Sequence, residues 1–284
     1  MINGNVHLDV FHNASCNPFV IHLFLCMDVQ TIRGLEGRII MKAILTSFLG
    51  GFIKVNGTRI PDILIQRNGL LDNLKSIWIP DARVLIVCGN PDNYGKNDGV
   101  HACLKEAFPM SGLSISSMEQ CDDRNPEIIE NLENIDVLVL AGGHVPSQNT
   151  FMKQLRLKER LAEFNGIVVA WSAGSMNSAD VVYAGPELPG EAVDPLYERW
   201  IPGLGITQVN IFPHYQRLRD DYLDGMRLIE DITFDDSVGH EILALNDGSY
   251  IMVEDGKTTL YGEAYSIKDR QMTQICKDGE HISL

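Results

Sequence analysis

The chain has 284 residues, 45% apolar and 21% charged, enough for one large domain with a sizeable core. Its formal net charge of −15 argues against nucleic acid and anionic membranes as partners and fits a soluble, cytoplasmic protein. Six cysteines (Cys16, Cys26, Cys88, Cys103, Cys121, Cys276) form no Cys-x-x-Cys pair and no regular spacing. They read as reduced thiols, with neither a disulfide framework nor a metal site, and nothing in the sequence calls for a cofactor.

Residues 1–40 fit the rest poorly. The apolar run Pro18 to Met27 is too short to span a bilayer, and no Lys or Arg precedes it, so it lacks the positive start of a signal peptide. Met41 then opens a strand-like segment. Leu35-Glu36-Gly37-Arg38, just upstream, is compatible with purine-rich codons resembling a ribosome-binding site read in frame. The expectation is that 1–40 are an extension, disordered or a mis-assigned start, and that 41–284 form one α/β domain. A genuine N-terminal extension is the alternative.

From there, short apolar runs alternate with amphipathic segments. Strands are predicted at Ala43 to Ser47, Arg83 to Cys88, Leu113 to Ser116, Asp136 to Leu140, Ile167 to Trp171 and Gln208 to Ile211. Helices are predicted at Leu70 to Ile77, Gly99 to Phe108, Pro126 to Glu133, Ser147 to Phe164 and Asp220 to Glu230. Near-continuous Val/Ile/Leu strands between helices imply a mostly parallel sheet covered on both faces, a three-layer sandwich. After Glu241 the pattern changes. Short strands at Ser249 to Val253, Thr258 to Leu260, Ala264 to Ile267 and Met272 to Cys276 lie among Asp-Gly turns, Asp247-Gly248 included, which predicts a C-terminal antiparallel meander.

Three strand ends carry candidate chemistry. Leu138-Val139-Leu140 runs into Ala141-Gly142-Gly143-His144, where a Gly pair lets backbone approach a ligand and aim N–H groups at it. Ile167-Val168-Val169-Ala170-Trp171 runs into Ser172-Ala173-Gly174, a strand, a serine between small residues and a helix start, as in a nucleophile elbow. A serine at such a junction can equally be a helix N-cap. The stretch before Pro213-His214 places a histidine after an apolar strand, expected at the C-terminal edge of the parallel sheet, where ligands of open α/β sheets bind. A loop histidine is the plainer reading. With Ser172 as nucleophile, His214 would be the base, and the N–H groups of Gly143 and Ala173 would hold an oxyanion. Asp180 falls within the predicted elbow helix and is expected to face away. The orienting acid is expected in the Pro-flanked loop Ala184 to Gly190, with Glu187 favoured and Glu191 or Asp194 as alternatives.

Taken in order, the Gly-Gly turn, the Trp-Ser-Ala-Gly elbow and the Phe-Pro-His segment resemble peptidase family S51, over about residues 41–284. The resemblance implies a class I glutamine amidotransferase-like α/β fold and a Ser–His–Asp/Glu triad without metal. By position it implies Ser172 as nucleophile, His214 as base and Glu187 as acid. It further implies a small peptide as substrate, bound near Gly142, His144 and Arg217, and a homodimer as a common assembly. The segment Tyr215 to Asp221 departs from that of peptidase E, so its aspartate-gripping arginine has no clear counterpart beyond Arg217 or Arg219. The resulting expectation is a serine-type peptidase of the dipeptidase or exopeptidase kind. The alternatives are a non-catalytic amidotransferase-like binding or regulatory protein and a cyanophycinase-like exopeptidase. The true amidotransferases of this fold carry cysteine where Ser172 stands, which argues against glutaminase activity.

Overall fold

The computed structural model describes residues 41–284. The expected extension 1–40, with Cys16 and Cys26, lies outside the described residues.

Strand β1 (Lys42–Thr46) is followed by a hairpin of β2 (Gly50–Val55) and β3 (Thr58–Leu64), then helix α1 (Leu70–Ile77). Next come β4 (Ala82–Val87), α2 (Tyr94–Met110), β5 (Ile115–Cys121), β6 (Val137–Leu140), α3 (Val145–Gln154), α4 (Leu157–Leu161), β7 (Ile167–Trp171) and the short α5 (Ala173–Asn177). The second half holds β8 (Val181–Tyr183), β9 (Trp200–Pro202), β10 (Asn210–Phe212), α6 (Tyr215–Leu218), β11 (Tyr222–Leu223), β12 (Met226–Arg227) and α7 (Phe234–Asp236). It closes with β13 (Glu241–Leu245), β14 (Tyr250–Glu254), β15 (Lys257–Tyr261), β16 (Ala264–Lys268), β17 (Gln271–Cys276) and β18 (His281–Ser283).

The main sheet has eight strands in the order β18-β15-β14-β1-β7-β6-β4-β5. From β1 to β5 its neighbours run parallel, and β14, β15 and β18 add an antiparallel edge. The inner parallel strands β1, β7, β6 and β4 are largely apolar because both faces are covered, whereas the edge strand β5 is mostly polar. Ala43, Leu45, Leu138, Leu140, Val168 and Ala170 pack on one side with Phe151 and Met152 of α3 and Leu157 and Leu161 of α4. Ile44, Val84, Val137, Val139 and Val169 pack on the other with α1 and α2 through Leu70, Leu74, Leu104 and Phe108. Cys88, Cys103, Cys121 and Cys276 are free thiols in the interior. Burial pushes the Cys88 and Cys121 thiols up to about 12, so they are inert. No helix among the described residues is long and apolar enough to cross a membrane.

Several expected elements are corrected. The strand before His214 joins not the main sheet but a four-stranded one, order β10-β13-β16-β17, where β10 runs parallel to β13. The helix expected over Ser147 to Phe164 is two helices, because Arg156 turns left-handed at φ 51°. The helix expected over Asp220 to Glu230 is the β11–β12 hairpin and a π-helical turn, since Asp224 and Gly225 take positive φ. Pro126–Asn134 is 3-10 helical. The β2–β3 hairpin was not predicted, although its Asn56-Gly57 turn, with both residues at positive φ, has a strong hairpin composition.

Candidate active site

Ser172 ends β7 at φ 52° and ψ −121°, a backbone region that costs a non-glycine residue about 1–3 kcal/mol. Close packing enforces it. The Ser172 N–H donates to the Thr46 carbonyl of β1 at 3.1 Å, and the Met176 N–H donates back to the Ser172 carbonyl at 3.0 Å. A Cβ on Gly174 would lie 2.2 Å from the Leu140 carbonyl oxygen, so α5 reaches this close to β6 only with glycine there. The Ser172 hydroxyl makes no capping hydrogen bond to α5.

His214 also has a positive φ, 60°, at the junction of β10 and α6. Its Nδ1 lies 2.6 Å from Asp247 Oδ1. The Ser47 hydroxyl donates to the same Asp247 oxygen at 2.8 Å and accepts the His214 N–H at 2.7 Å. Arg217 Nε completes the cluster 3.1 Å from Asp247 Oδ2. An Arg217 nitrogen also touches His214 Nδ1. With a carboxylate facing it, Nδ1 is the protonated ring nitrogen, and the guanidinium finds its acceptor in Asp247. Burial alone would raise the Asp247 carboxyl, but hydrogen bonds from His214 and Ser47 and the Arg217 charge outweigh it and hold it below the usual carboxylate range. His214 Nε2 carries no hydrogen bond among the described residues.

Neither Glu187 nor its alternatives makes a hydrogen bond to His214 among the described residues. Glu187 Oε1 accepts the Val145 N–H at the start of α3, 3.1 Å away. Desolvation against the cavity wall pushes its carboxyl upward over the opposing pull of that N–H, although the residue as a whole is exposed. Glu191 holds His144 Nε2 at 2.9 Å through Oε1 and accepts the Glu187 and Leu188 N–H groups through Oε2. Asp194 Oδ1 accepts the Leu196 N–H, and Asp180 pairs with Lys158. The Pro-flanked loop is thus fastened to the Gly-Gly turn and α3 rather than to His214. Asp247, read from the sequence only as a turn residue, is the carboxylate on His214. Its signal was limited to a fixed Asp-Gly corner between two strands.

Gly142 and Gly143 pack where no side chain fits. A Cβ on Gly142 would lie 2.6 Å from Trp171 Nε1, and one on Gly143 would lie 2.4 Å from the Gly89 carbonyl. Neither the Gly143 nor the Ala173 N–H has an acceptor among the described residues. Behind them, Gln148 Nε2 donates to the Ala141 carbonyl at 2.6 Å, and Asn177 Nδ2 donates to Gln148 Oε1 at 3.1 Å. This buried pair ties the Gly-Gly turn to α5.

Ser172, Glu187 and His214 line two adjoining cavities of about 610 and 290 Å³. Gly142, Gly143, His144 and Arg217 line the larger, and Ala173 the smaller. No group of three His, Cys, Asp or Glu among the described residues is placed to hold a metal ion. A serine that lines the same cavities as a histidine–carboxylate pair, with unbonded backbone amides in the lining, is a set of groups suited to acyl transfer.

Among curated proteins no sequence matches the chain. Solved structures share the fold, and two of them serve as examples. A peptidase from an acI-B1 Actinobacterium superposes with a TM-score of 0.58 at 15% identity, over 87% of this chain and 98% of that one. A peptidase E-type protein from Listeria monocytogenes EGD-e superposes at 0.52 and 13% identity, over 83% of this chain and 98% of its own. The model of peptidase family S51 matches residues 57–261, and the chain belongs to that family.

Proposed function

We propose that this member of peptidase family S51 hydrolyses small peptides through Ser172 as nucleophile, His214 as general base and Asp247 as the orienting carboxylate. One observation carries the reading. The 2.6 Å contact between His214 Nδ1 and Asp247 leaves Nε2 for the hydroxyl of Ser172, which lines the same cavities. The uncapped hydroxyl and strained backbone of Ser172 support it, since a plain N-cap serine would bond the first helical turn.

In this mechanism Ser172 Oγ attacks the scissile carbonyl carbon while His214 Nε2 takes its proton. Asp247 holds the imidazole in the tautomer that allows this and stabilises the resulting cation. The Gly143 and Ala173 N–H groups bind the developing oxyanion, each worth about 2.7–4 kcal/mol by the effect of removing such a donor. His214 then returns the proton to the departing amine as the C–N bond breaks. Water, activated by the same histidine, releases the acyl group. The Gly-Gly turn and His144 contribute the cavity wall, and Arg217 acts on Asp247 rather than on substrate.

The larger cavity is within the range of small-ligand pockets, about 300–1,000 Å³, which favours short peptides and an exopeptidase or dipeptidase action. The presence of a serine, a histidine and a carboxylate around these cavities supports catalysis over the non-catalytic reading. A fluorophosphonate probe tests the proposal. Wild type should become labelled at Ser172, and Ser172→Ala should not. An unlabelled wild type, or equal labelling of both proteins, would overturn it.

A further inference from the structure

Asn90 lines the larger cavity together with Ser172 and Gly143, yet it takes no part in the acyl transfer described above. It stands in the loop between β4 and α2, and its backbone holds that loop in place. The Asn90 carbonyl accepts the Asn93 N–H at 3.0 Å and Asn97 Nδ2 at 3.0 Å. Asn97 Nδ2 also donates to Asp122 Oδ2 at 3.2 Å, and Arg124 Nη2 donates to the same oxygen at 2.7 Å. Pro91 fixes the next φ, and its carbonyl accepts the Asp123 N–H at 3.3 Å. On the other side of Asn90, a Cβ on Gly89 would lie 2.2 Å from the Gly142 carbonyl oxygen, so the loop presses on the Gly-Gly turn as only glycine allows.

The side chain of Asn90 does none of this holding. Its one hydrogen bond is from Lys96 Nζ to Oδ1, at 3.1 Å. An ammonium only donates, so the amide oxygen faces Lys96 and Nδ2 is the other end. Nδ2 has no hydrogen-bond partner among the described residues. It is not sealed from solvent as the buried, unpartnered Arg59 Nε is, so it stands open as a donor in the cavity wall.

The Gly-Gly turn shows how far this donor is from the nucleophile. A Cβ on Gly142 would lie 3.1 Å from the Ser172 Cβ, and one on Gly143 would lie 2.6 Å from Asn90 Oδ1. Asn90 is therefore about one residue further along the wall than Ser172. Successive residues of an extended peptide are about 3.3–3.6 Å apart, so a peptide with its scissile carbonyl at Ser172 brings a neighbouring amide to Asn90. The scissile oxygen already has the Gly143 and Ala173 N–H groups. The neighbouring carbonyl oxygen, which only accepts, has none of its own.

We propose that Asn90 Nδ2 donates to the carbonyl oxygen of the amide next to the scissile one, so that the site takes tripeptides in preference to dipeptides. Lys96 is the positioning residue that turns the donor end of the Asn90 amide toward the peptide. This rests on the reading of Ser172 as nucleophile. The acceptor is neutral backbone, so the preference is for length and not for charge.

Initial rates of the full chain on unmodified dipeptides, and on the same sequences lengthened by one residue at either end, test this. For at least one direction of lengthening, kcat/KM should rise by about fivefold or more, as one neutral hydrogen bond allows. Asn90→Ala should lose most of that gain. Asn90→Asp should lose all of it, because a carboxylate repels the peptide oxygen. Its charge also keeps a partner in Lys96, which covers the case that Asn90→Ala fails to fold. Lys96→Met should lower the gain in the wild-type background and lower it no further on top of Asn90→Ala. A purely structural loss would slow both lengths alike and leave the gain unchanged. A smaller gain in wild type, or a gain kept in Asn90→Ala and Asn90→Asp, overturns the proposal, and a gain kept in Lys96→Met overturns the role of Lys96. Fluorophosphonate labelling of wild-type Ser172, with tripeptides cleaved no better than dipeptides, removes the proposal and leaves the nucleophile reading standing. Absent labelling and absent cleavage remove both.

Discussion

Ser172 and His214 each sit at a positive φ, and each is held there by a hydrogen bond to the end of β1. Strain of this kind persists only where surrounding structure over-determines it, and it concentrates at functional sites. Asp247 is the third residue fastened there, through Ser47. Its carboxyl is depressed in the folded chain by His214, Ser47 and Arg217 despite burial. The sign of its contribution follows. The ionised form is bound more tightly when folded, so Asp247 stabilises the protein above the ordinary aspartate value of about 3.9. That stability is lost as pH falls through the depressed folded value. Asp247→Asn should therefore be less stable than wild type at pH 7, and the gap should close in strongly acidic buffer. Chemical denaturation at several pH values measures it. A gap unchanged from pH 7 into the acid range would show that the Asp247 charge contributes nothing.

At the level of elements, the site depends on glycines that let β6, β7 and α5 approach. Gly174→Ala would press a methyl to 2.2 Å from the Leu140 carbonyl. Backbone has to move, at a cost of about 1–3 kcal/mol or more. Urea unfolding should show this loss, and a midpoint equal to wild type would mean that the elbow is not tightly packed. The sequence made this legible, because small residues flanking Ser172 have a steric cause. It also made the parallel strands legible, because double-sided burial leaves continuous apolar runs such as Ile167-Val168-Val169-Ala170. Helix ends were harder. The break at Arg156 is one left-handed residue within a continuous amphipathic pattern, and periodicity does not register it. The β2–β3 hairpin carried its own signal in Asn56-Gly57, yet its exposed faces gave no clear alternation around that turn. Missing it hid Lys54 and Arg59, two hairpin residues that line the larger cavity.

Across the whole molecule, the site forms where two sheets meet. Ser172 follows β7 of the eight-stranded sheet, and His214 follows β10 of the four-stranded one. Asp247 lies on the short crossing from β13 of the second sheet to β14 of the first. No local pattern reports that crossing. The strands on either side look like one meander, and the sheet each joins is decided by tertiary packing. This is why Glu187, in a rigid loop following the elbow helix, was expected on His214, while the loop is instead fastened through Glu187 to Val145 and through Glu191 to His144. In the proposed mechanism Asp247, and not Glu187, orients the base that activates Ser172. The most direct measurement is the rate of Ser172 acylation in Asp247→Asn beside Glu187→Gln. Asp247→Asn should slow it by about 10²–10⁴-fold through loss of the correct tautomer, and Glu187→Gln by less than tenfold. A large loss in Glu187→Gln with near-wild-type acylation in Asp247→Asn would contradict the account.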